Sequence, residues 1–137
     1  MGEVRVRVKL INPLDEMRVR RRQLSSDKVH TYEANALVDT GAVRTIIPRH
    51  VLDAFDLELD NETVAEYAAG GKDNVGLSEP LRVEIVGRRT SDEALVLGDE
   101  VLIGQTVLEK LDLLVDCNRR QVVPNPAHPD QPVSKVK

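Results

Sequence analysis

The tripeptide Asp39-Thr40-Gly41 has the residue types that a carboxylate-based water activator needs. It follows the apolar run Ala36-Leu37-Val38 and precedes Ile46-Ile47, so the carboxylate is expected where a buried strand ends. A carboxylate at such a place is held rigidly and partly desolvated, and its pKa can be moved. The Thr40 side chain is stiff and can hydrogen-bond across a tight turn, while Gly41 lets another backbone approach closely. The motif therefore points to hydrolysis by an activated water molecule.

The same tripeptide can also be a structural turn. Asp often caps backbone amides where a strand turns, and Gly accepts a positive φ. A given tripeptide of this kind occurs by chance in roughly a few per cent of chains of this length. Taken alone, the tripeptide favours the structural interpretation, so its context carries the functional one.

Short apolar stretches separated by turn residues predict a β-rich chain. Residues 4–10 alternate Val or Leu with Arg or Lys, which is the period of a half-buried strand. Further strands are predicted at residues 17–24 (weakly), 36–38, 46–47, 62–68, 75–86, 94–97, 101–103, 113–115 and 121–123. Short helices are predicted at residues 48–57 and 105–111, and turns at 69–74 and 87–92. The aromatic content is only 2%, so the core is expected to be aliphatic.

In combination, these features resemble the retropepsin family, the retroviral-type aspartic proteases and their bacterial relatives. In that family an apolar strand leads into a D-T-G-[AS] loop, which Asp39-Thr40-Gly41-Ala42 matches. A second family motif, two large apolar residues, a Gly and a short helix, is matched by Leu102-Ile103-Gly104 and the residues that follow. The family places a β-hairpin flap between the motifs, where this chain has Gly70-Gly71. The resemblance covers roughly residues 29–123 and suggests a bacterial-type, single-domain member.

The resemblance implies an all-β fold, a small closed retropepsin-type acid-protease barrel with one or two short helices. It implies that Asp39 is the catalytic carboxylate, that the Thr40 hydroxyl joins two active-site loops across a dimer, and that the Gly41 carbonyl binds the substrate backbone. Ala42 stands where some relatives have Ser, and loss of that hydroxyl favours a less acidic working pH. The other implied site residues are the flap (Tyr67, Ala69, Gly70 and Gly71) and the support of the loop (Leu102, Ile103 and Gly104).

The chain departs from the viral members at two positions. Those members often carry an Asp after the D-T-G-A and an Arg after the second Gly, which form an ion pair. Val43 and Gln105 occupy these positions here, so that pair is absent, and Arg44 is the candidate for a partial replacement of its charge. Tyr67 also suits ordinary strand packing, so its place in the flap is an expectation from the resemblance.

The chemistry predicts a homodimer, because an aspartic protease needs two carboxylates that share one proton. The sequence contains one D-T-G, and its best internal rival, Asp116, precedes what looks like a hairpin turn. The second carboxylate is therefore expected from another copy. The resemblance implies that terminal strands build the interface, and residues 4–10 and 121–123 are the candidates. The expected substrate is a peptide or protein. The alternative is a catalytically silent dimeric peptide-binding or scaffold module, which the intact motif disfavours.

Composition bounds the remaining classes. The 137 residues fit one domain, predicted as residues 1–126, with the proline-rich residues 127–137 as a flexible tail. A net charge of −4 gives no reason to expect nucleic acid or an anionic membrane as partner. The scattered histidines and the single Cys117 predict no metal site, no cofactor and no disulfide within the chain. The charged N-terminal stretch predicts a cytoplasmic protein.

A basic cluster at Arg18, Arg20, Arg21 and Arg22, with Lys28 nearby, is the one local exception in charge. It could bind an acidic partner. The preferred interpretation is the solvated face and turn of an edge strand.

Overall fold

The computed structural model describes residues 2–136, which fold mainly into strands. The strands are β1 (Val4–Ile11), β2 (Thr31–Val38), β3 (Ile46–Ile47), β4 (Leu59–Glu66), β5 (Lys72–Ser78), β6 (Leu81–Ile85), β7 (Arg88–Asp92), β8 (Leu95–Val96), β9 (Leu102–Ile103), β10 (Leu113–Asp116) and β11 (Gln121–Pro124). The helices are α1 (Pro13–Arg20), α2 (Arg49–Ala54) and α3 (Gln105–Leu111), with a short 3-10 helix at Ser26–Lys28. The predicted all-β class is confirmed.

Nine strands form one mixed sheet in the order β4-β5-β8-β3-β9-β2-β1-β6-β7, and β10 and β11 form a separate hairpin. Strand β1 pairs antiparallel with β2 along its whole length and with β6 at residues 8–11. It therefore lies inside the sheet of its own chain, and residues 8–11 have no free edge for a second copy. Of the two predicted interface strands, β11 lies outside the main sheet.

The core is aliphatic, as the composition predicts, apart from the single phenylalanine. Phe55, Leu10, Ile47 and Leu52 are fully buried. Burying each such side chain stabilises the fold by about 1.5–3 kcal/mol. Phe55 lies directly after α2, so this helix is held against the sheet by its apolar residues and fixes the segment that follows the D-T-G loop.

Helix α1 replaces the strand predicted at residues 17–24, and this prediction is wrong. Asn12 caps the helix, because its Oδ1 accepts the N–H groups of Leu14 (2.9 Å) and Asp15 (3.1 Å). Pro13 occupies the first helical turn, where its missing N–H costs nothing. The two apolar residues taken as strand alternation were a weaker signal than this cap.

The basic cluster consequently lies on a helix and not on an edge strand. Arg18 and Arg20 stand in the last turn of α1, where cations are favourable, and Arg21 and Arg22 follow it. Residues 2–136 contain three α-helices, one more than the upper number expected.

The segment after β5 also differs from its prediction. A single strand was expected at residues 75–86 and a turn at 87–92. The strand is instead interrupted at Pro80, which has no N–H to donate to a neighbouring strand. Val86 (φ 52°) and Gly87 (φ 76°) form the actual two-residue turn between β6 and β7. Residues 88–92 form strand β7.

The C-terminal segment contacts the end of α3. Asp112 adopts a left-handed conformation (φ 55°) and its carboxylate accepts hydrogen bonds from Asn125 Nδ2 (3.0 Å) and the Val133 N–H (3.1 Å), with His128 Nδ1 at 2.7 Å. The hydrogen bond from Asn125 is the largest influence that lowers the pKa of Asp112. The buried Arg88 donates to the carbonyl oxygens at residues 111, 112 and 128, so residues of the predicted tail and the helix end share one set of hydrogen bonds.

Between residues 2 and 136, no helix has the length and apolar character that crossing a membrane requires.

Candidate active site

Strand β9 positions the loop that carries Asp39. It lies between β2, with which it is parallel, and β3, with which it is antiparallel. The N–H of Asp39 donates to the carbonyl of Ile103 (3.0 Å), and the N–H of Leu37 donates to that of Val101 (3.0 Å). Both strands that flank the loop are therefore fixed by the same third strand, and the loop between them has little freedom.

Helix α3 fastens the loop from behind. Its first N–H groups, at Gln105 and Thr106, donate to the carbonyls of Ala42 (2.7 Å) and Val43 (3.1 Å). These N–H groups have no acceptor within the helix, so the carbonyl groups of the loop serve as their hydrogen-bond acceptors. Gly104 makes the approach possible, because a Cβ at this position would lie 2.6 Å from the Arg44 carbonyl oxygen. Leu102-Ile103-Gly104 is thus adjacent to the loop, as the resemblance implies.

Asp39 begins a tight turn of its own. Its Oδ1 accepts the N–H of Gly41 (2.9 Å), and its carbonyl accepts the N–H of Ala42 (3.1 Å). The remaining oxygen, Oδ2, has no hydrogen bond within the described chain, and Asp39, Thr40 and Gly41 are all exposed to solvent. The expected partial desolvation of Asp39 is not present in a single copy of the chain.

A hairpin formed by β4 and β5 stands opposite the loop. Its last pair is Glu66 with Lys72, and its turn is closed by two hydrogen bonds between Tyr67 and the glycines: Tyr67 N–H to the Gly71 carbonyl (2.8 Å) and Gly70 N–H to the Tyr67 carbonyl (2.8 Å). Gly70 has φ +93°, a conformation that other residues rarely adopt. The turn covers residues 67–71 and so differs from the predicted 69–74: β4 already ends at Glu66, and residues 72–74 belong to β5.

A cavity of about 570 Å³ separates the loop from the hairpin. Its lining contains Asp39, Gly41, Ala42, Val43, Arg44, Ile46, Thr63, Val64, Ala65, Glu66, Tyr67, Ala68, Leu95, Leu97 and Leu102. Of the predicted flap residues, Tyr67 lines this cavity, whereas Ala69, Gly70 and Gly71 form the turn beyond it. Thr40, Ile103 and Gly104 lie outside the lining.

Two carboxylates of the hairpin, Asp73 and Glu66, interact with neighbouring side chains. Partial burial of the Tyr67 ring raises the pKa of its hydroxyl, and the charge and hydrogen bond of Asp73 raise it further, so the phenol stays neutral over the usual pH range. Glu66 also lines the cavity, but it lies 3.7 Å from the ammonium group of Lys72.

Several lining residues belong to no motif and were not predicted as site residues. Ile46, Leu95 and Leu97 supply an apolar wall, and Arg44 had been noted only as a possible ion-pair substitute. Leu95 and Leu97 reach the site because β8 pairs with both β3 and β5. That pairing carries residues 95–97 to the cavity, and its only sequence signal was the short apolar strand predicted at 94–97.

Over residues 2–136, no group of three or more His, Cys, Asp or Glu side chains is placed to hold a metal ion. The lining of the cavity offers the carboxylates of Asp39 and Glu66, the guanidinium of Arg44, the phenol of Tyr67 and an apolar wall.

Comparison with known proteins gives a match at the level of structure alone. No family model matches the chain, and no curated protein matches it. Among solved structures it is similar to the crystal structure of the retroviral protease-like domain of Ddi1 from Leishmania major, with a TM-score of 0.58 and 16% sequence identity. The similarity covers 92% of this chain and 90% of that one. It shows that the chain has a retropepsin-like fold, which confirms the fold predicted from the two motifs.

Proposed function

We propose that the protein is an aspartic endopeptidase that acts as a homodimer, with one Asp39 from each copy. The observation that supports this most is the position of Asp39. It lies on a loop fixed by β9 and α3, and it borders a cavity whose opposite wall is a β-hairpin. This arrangement occurs within a retropepsin-like fold.

The chemistry requires that two Asp39 carboxylates share one proton. Two like charges at close range cannot both ionise easily, so one carboxyl stays neutral while the other carries the charge. The charged one takes a proton from a water molecule, which attacks the scissile carbonyl carbon. The neutral one donates its proton to the carbonyl oxygen. The pair titrates as a unit, with apparent pKa values that belong to neither residue alone.

A second copy would complete the site. The other carboxylate of the cavity, Glu66, is on the hairpin and is paired with Lys72, so it is poorly placed to share a proton with Asp39. Asp39 and Thr40 are exposed, and the adjacent Val43 is 67% exposed. A copy related by a two-fold axis would cover this surface and bring its own Asp39 to it, with the Thr40 hydroxyls joining the loops.

Extended peptide segments are the substrates that suit the cavity. The Gly41 carbonyl can accept a hydrogen bond from a substrate backbone, and Tyr67 can pack over the bound segment from the hairpin. Ile46, Leu95 and Leu97 would contact apolar side chains of the substrate. Ala42 contributes no hydroxyl that would stabilise an ionised carboxylate, which favours a working pH nearer neutrality.

Replacing Asp39 with Asn tests the proposal. Wild-type protein should cleave members of a broad peptide library, and the Asp39→Asn protein should cleave none while sedimenting as the same dimer. Asp53→Asn is a matched control, because Asp53 is exposed on α2 and lies outside the cavity. A pepstatin-type transition-state mimic should bind the wild type.

The opposite result would be a wild-type dimer that binds peptides but cleaves none and ignores the mimic. That outcome would identify the silent peptide-binding module and end the protease proposal.

A further inference from the structure

Arg44 places a positive charge at the wall of the same cavity as Asp39. It lies on the segment that leaves the active-site loop, between Val43 and the buried Thr45. The rest of this side of the cavity is apolar, formed by residues such as Ile46 and Leu95. An arginine among these apolar residues can bind an anionic group, which they cannot.

The guanidinium is anchored, and it does not swing freely in solvent. Its Nη2 donates to the carbonyl oxygen of Glu93 at 3.1 Å. Glu93 lies two residues before Leu95, so the hydrogen bond holds the guanidinium beside that wall of the cavity. A pre-positioned arginine loses little side-chain entropy when a ligand binds to it.

The charge of Arg44 is left without a partner. Its Nε atom is buried and has no hydrogen bond, and among residues 2–136 no carboxylate forms an ion pair with it. By contrast, the buried Arg88 uses its guanidinium on three carbonyl oxygens, and the half-buried Arg82 is paired with Glu16 at 2.8 Å. A partly buried cation without an anion is costly, and a carboxylate would relieve that cost.

The other charges of the cavity direct an anion to Arg44 and away from the remaining lining. Asp39 and Glu66 both repel a carboxylate, and Lys72 is already 3.7 Å from Glu66. Because Nε is buried, the Nη groups of Arg44 are the donors that remain for a ligand, and they bind a charged carboxylate more strongly than the neutral oxygen of an amide side chain.

We infer that Arg44 is a specificity-determining residue that selects peptide substrates with an acidic side chain, Asp or Glu, at one position near the scissile bond. This inference rests on the proposed peptidase function and adds the substrate class. The neighbouring apolar wall would take aliphatic side chains at adjacent positions. The preferred substrate is thus an extended segment that combines one carboxylate with aliphatic residues.

Matched peptides test the inference. One extended aliphatic peptide is made with Glu, Gln or Lys at each position in turn. At one position the wild type should cleave the Glu peptide at least about tenfold faster in kcat/KM than the Gln peptide, as expected for a charge-assisted pair. Arg44→Glu should reverse the order at that position and prefer Lys. Arg44→Lys should keep the sign of the preference but reduce it.

Arg49→Glu is the matched control, since it makes the same charge change on an exposed arginine that pairs with Asp53 outside the cavity. It should retain the wild-type preference. Circular dichroism and sedimentation of each variant establish that fold and dimer are intact. The inference is overturned if at no position the kcat/KM of the Glu peptide exceeds that of the Gln peptide by more than twofold. It is also overturned if Arg44→Glu prefers the same peptides as the wild type.

The same peptides are also measured as ligands of Asp39→Asn by fluorescence anisotropy, which separates the two failures. If the wild type cleaves nothing, the peptidase proposal fails, but the Glu-to-Gln ratio in affinity still decides whether Arg44 selects an acidic group.

Discussion

The backbone of Gly104 lies against the carbonyl group of Arg44, closely enough that a Cβ on Gly104 would be 2.6 Å from the Arg44 oxygen. The same Cβ would lie 2.9 Å from the carbonyl oxygen of Ala42. Both contacts are with backbone, which cannot move aside as the end of a flexible side chain can. The start of α3 and the loop that carries Asp39 therefore occupy their positions together.

Gly104→Ala should accordingly destabilise the protein and displace the loop. Overpacking of this kind costs about 1–3 kcal/mol, and it should also lower any activity that depends on Asp39. Urea denaturation gives the first quantity and peptide cleavage the second. Gly71→Ala is the control for stability, because its Cβ would meet only the Tyr67 ring at 3.8 Å. Equal stability of the two variants would contradict the tight contact at Gly104.

Asp15 predicts a dependence of stability on pH. It is buried, which by itself would raise its pKa, but the backbone N–H and ring of His30, with the charges of His30 and Arg18, hold the pKa below its ordinary value. A carboxyl whose pKa is lowered by folding stabilises the folded state above the unfolded pKa, and that contribution is lost as the pH falls through the folded value. The loss therefore belongs to the range below about pH 4.

Asp15→Asn should lower the free energy of unfolding by about 2 kcal/mol at pH 7, because it removes a buried, charge-assisted acceptor. The difference from the wild type should shrink as the pH falls from about 4 through the lowered pKa of Asp15 in the folded protein, where the wild-type carboxylate takes up its proton. Urea titrations across this range measure it. Asp53→Asn should change stability little, since its pair with Arg49 is solvent-exposed at 3.4 Å. A constant difference at every pH would refute the assignment to Asp15 ionisation.

Tyr67 is predicted to contribute to substrate binding through its ring. It is 41% exposed and lines the cavity from the hairpin, so a bound peptide would bury the exposed part. Tyr67→Ala should reduce kcat/KM by about tenfold, mainly through KM, whereas Tyr67→Phe keeps the ring and should retain most of the activity. Steady-state kinetics on one peptide compares them. If Phe and Ala lower kcat/KM equally, the hydroxyl and not the ring is the important group.

The sequence was most informative where a local signal and the tertiary structure agree. Helix α3 has the predicted bounds because an apolar repeat follows Gly104 and no competing pattern overlaps it. Helix α1 was missed because Met17 and Val19 mimic the alternation of a strand, although the Asn12-Pro13 cap was visible in the sequence. The cap at the start of the helix was a stronger determinant of its structure than the alternating apolar pattern within it.

The sequence predicted the two motifs of the candidate site but not the apolar residues that line the rest of its cavity. Asp39 and Leu102-Ile103-Gly104 carry signals of their own, and their contact follows from one strand pairing. Leu95 and Leu97 reach the cavity only through the pairing of β8 with β3 and β5, which short apolar segments do not specify. The exposure of Asp39 also depends on what surrounds the finished fold, and a strand pattern contains no information about it.

The insertion of β9 between β2 and β3 has a consequence for the order of events during synthesis. The loop at Asp39 is held on both sides by residues that the ribosome adds much later, including Ile103 and Gln105. Contacts that close so long a stretch of chain form slowly compared with local ones. An unfinished nascent chain therefore contains Asp39 but lacks the frame that orients it. The loop at Asp39 therefore takes its final geometry only after residues 102–106 have emerged and folded.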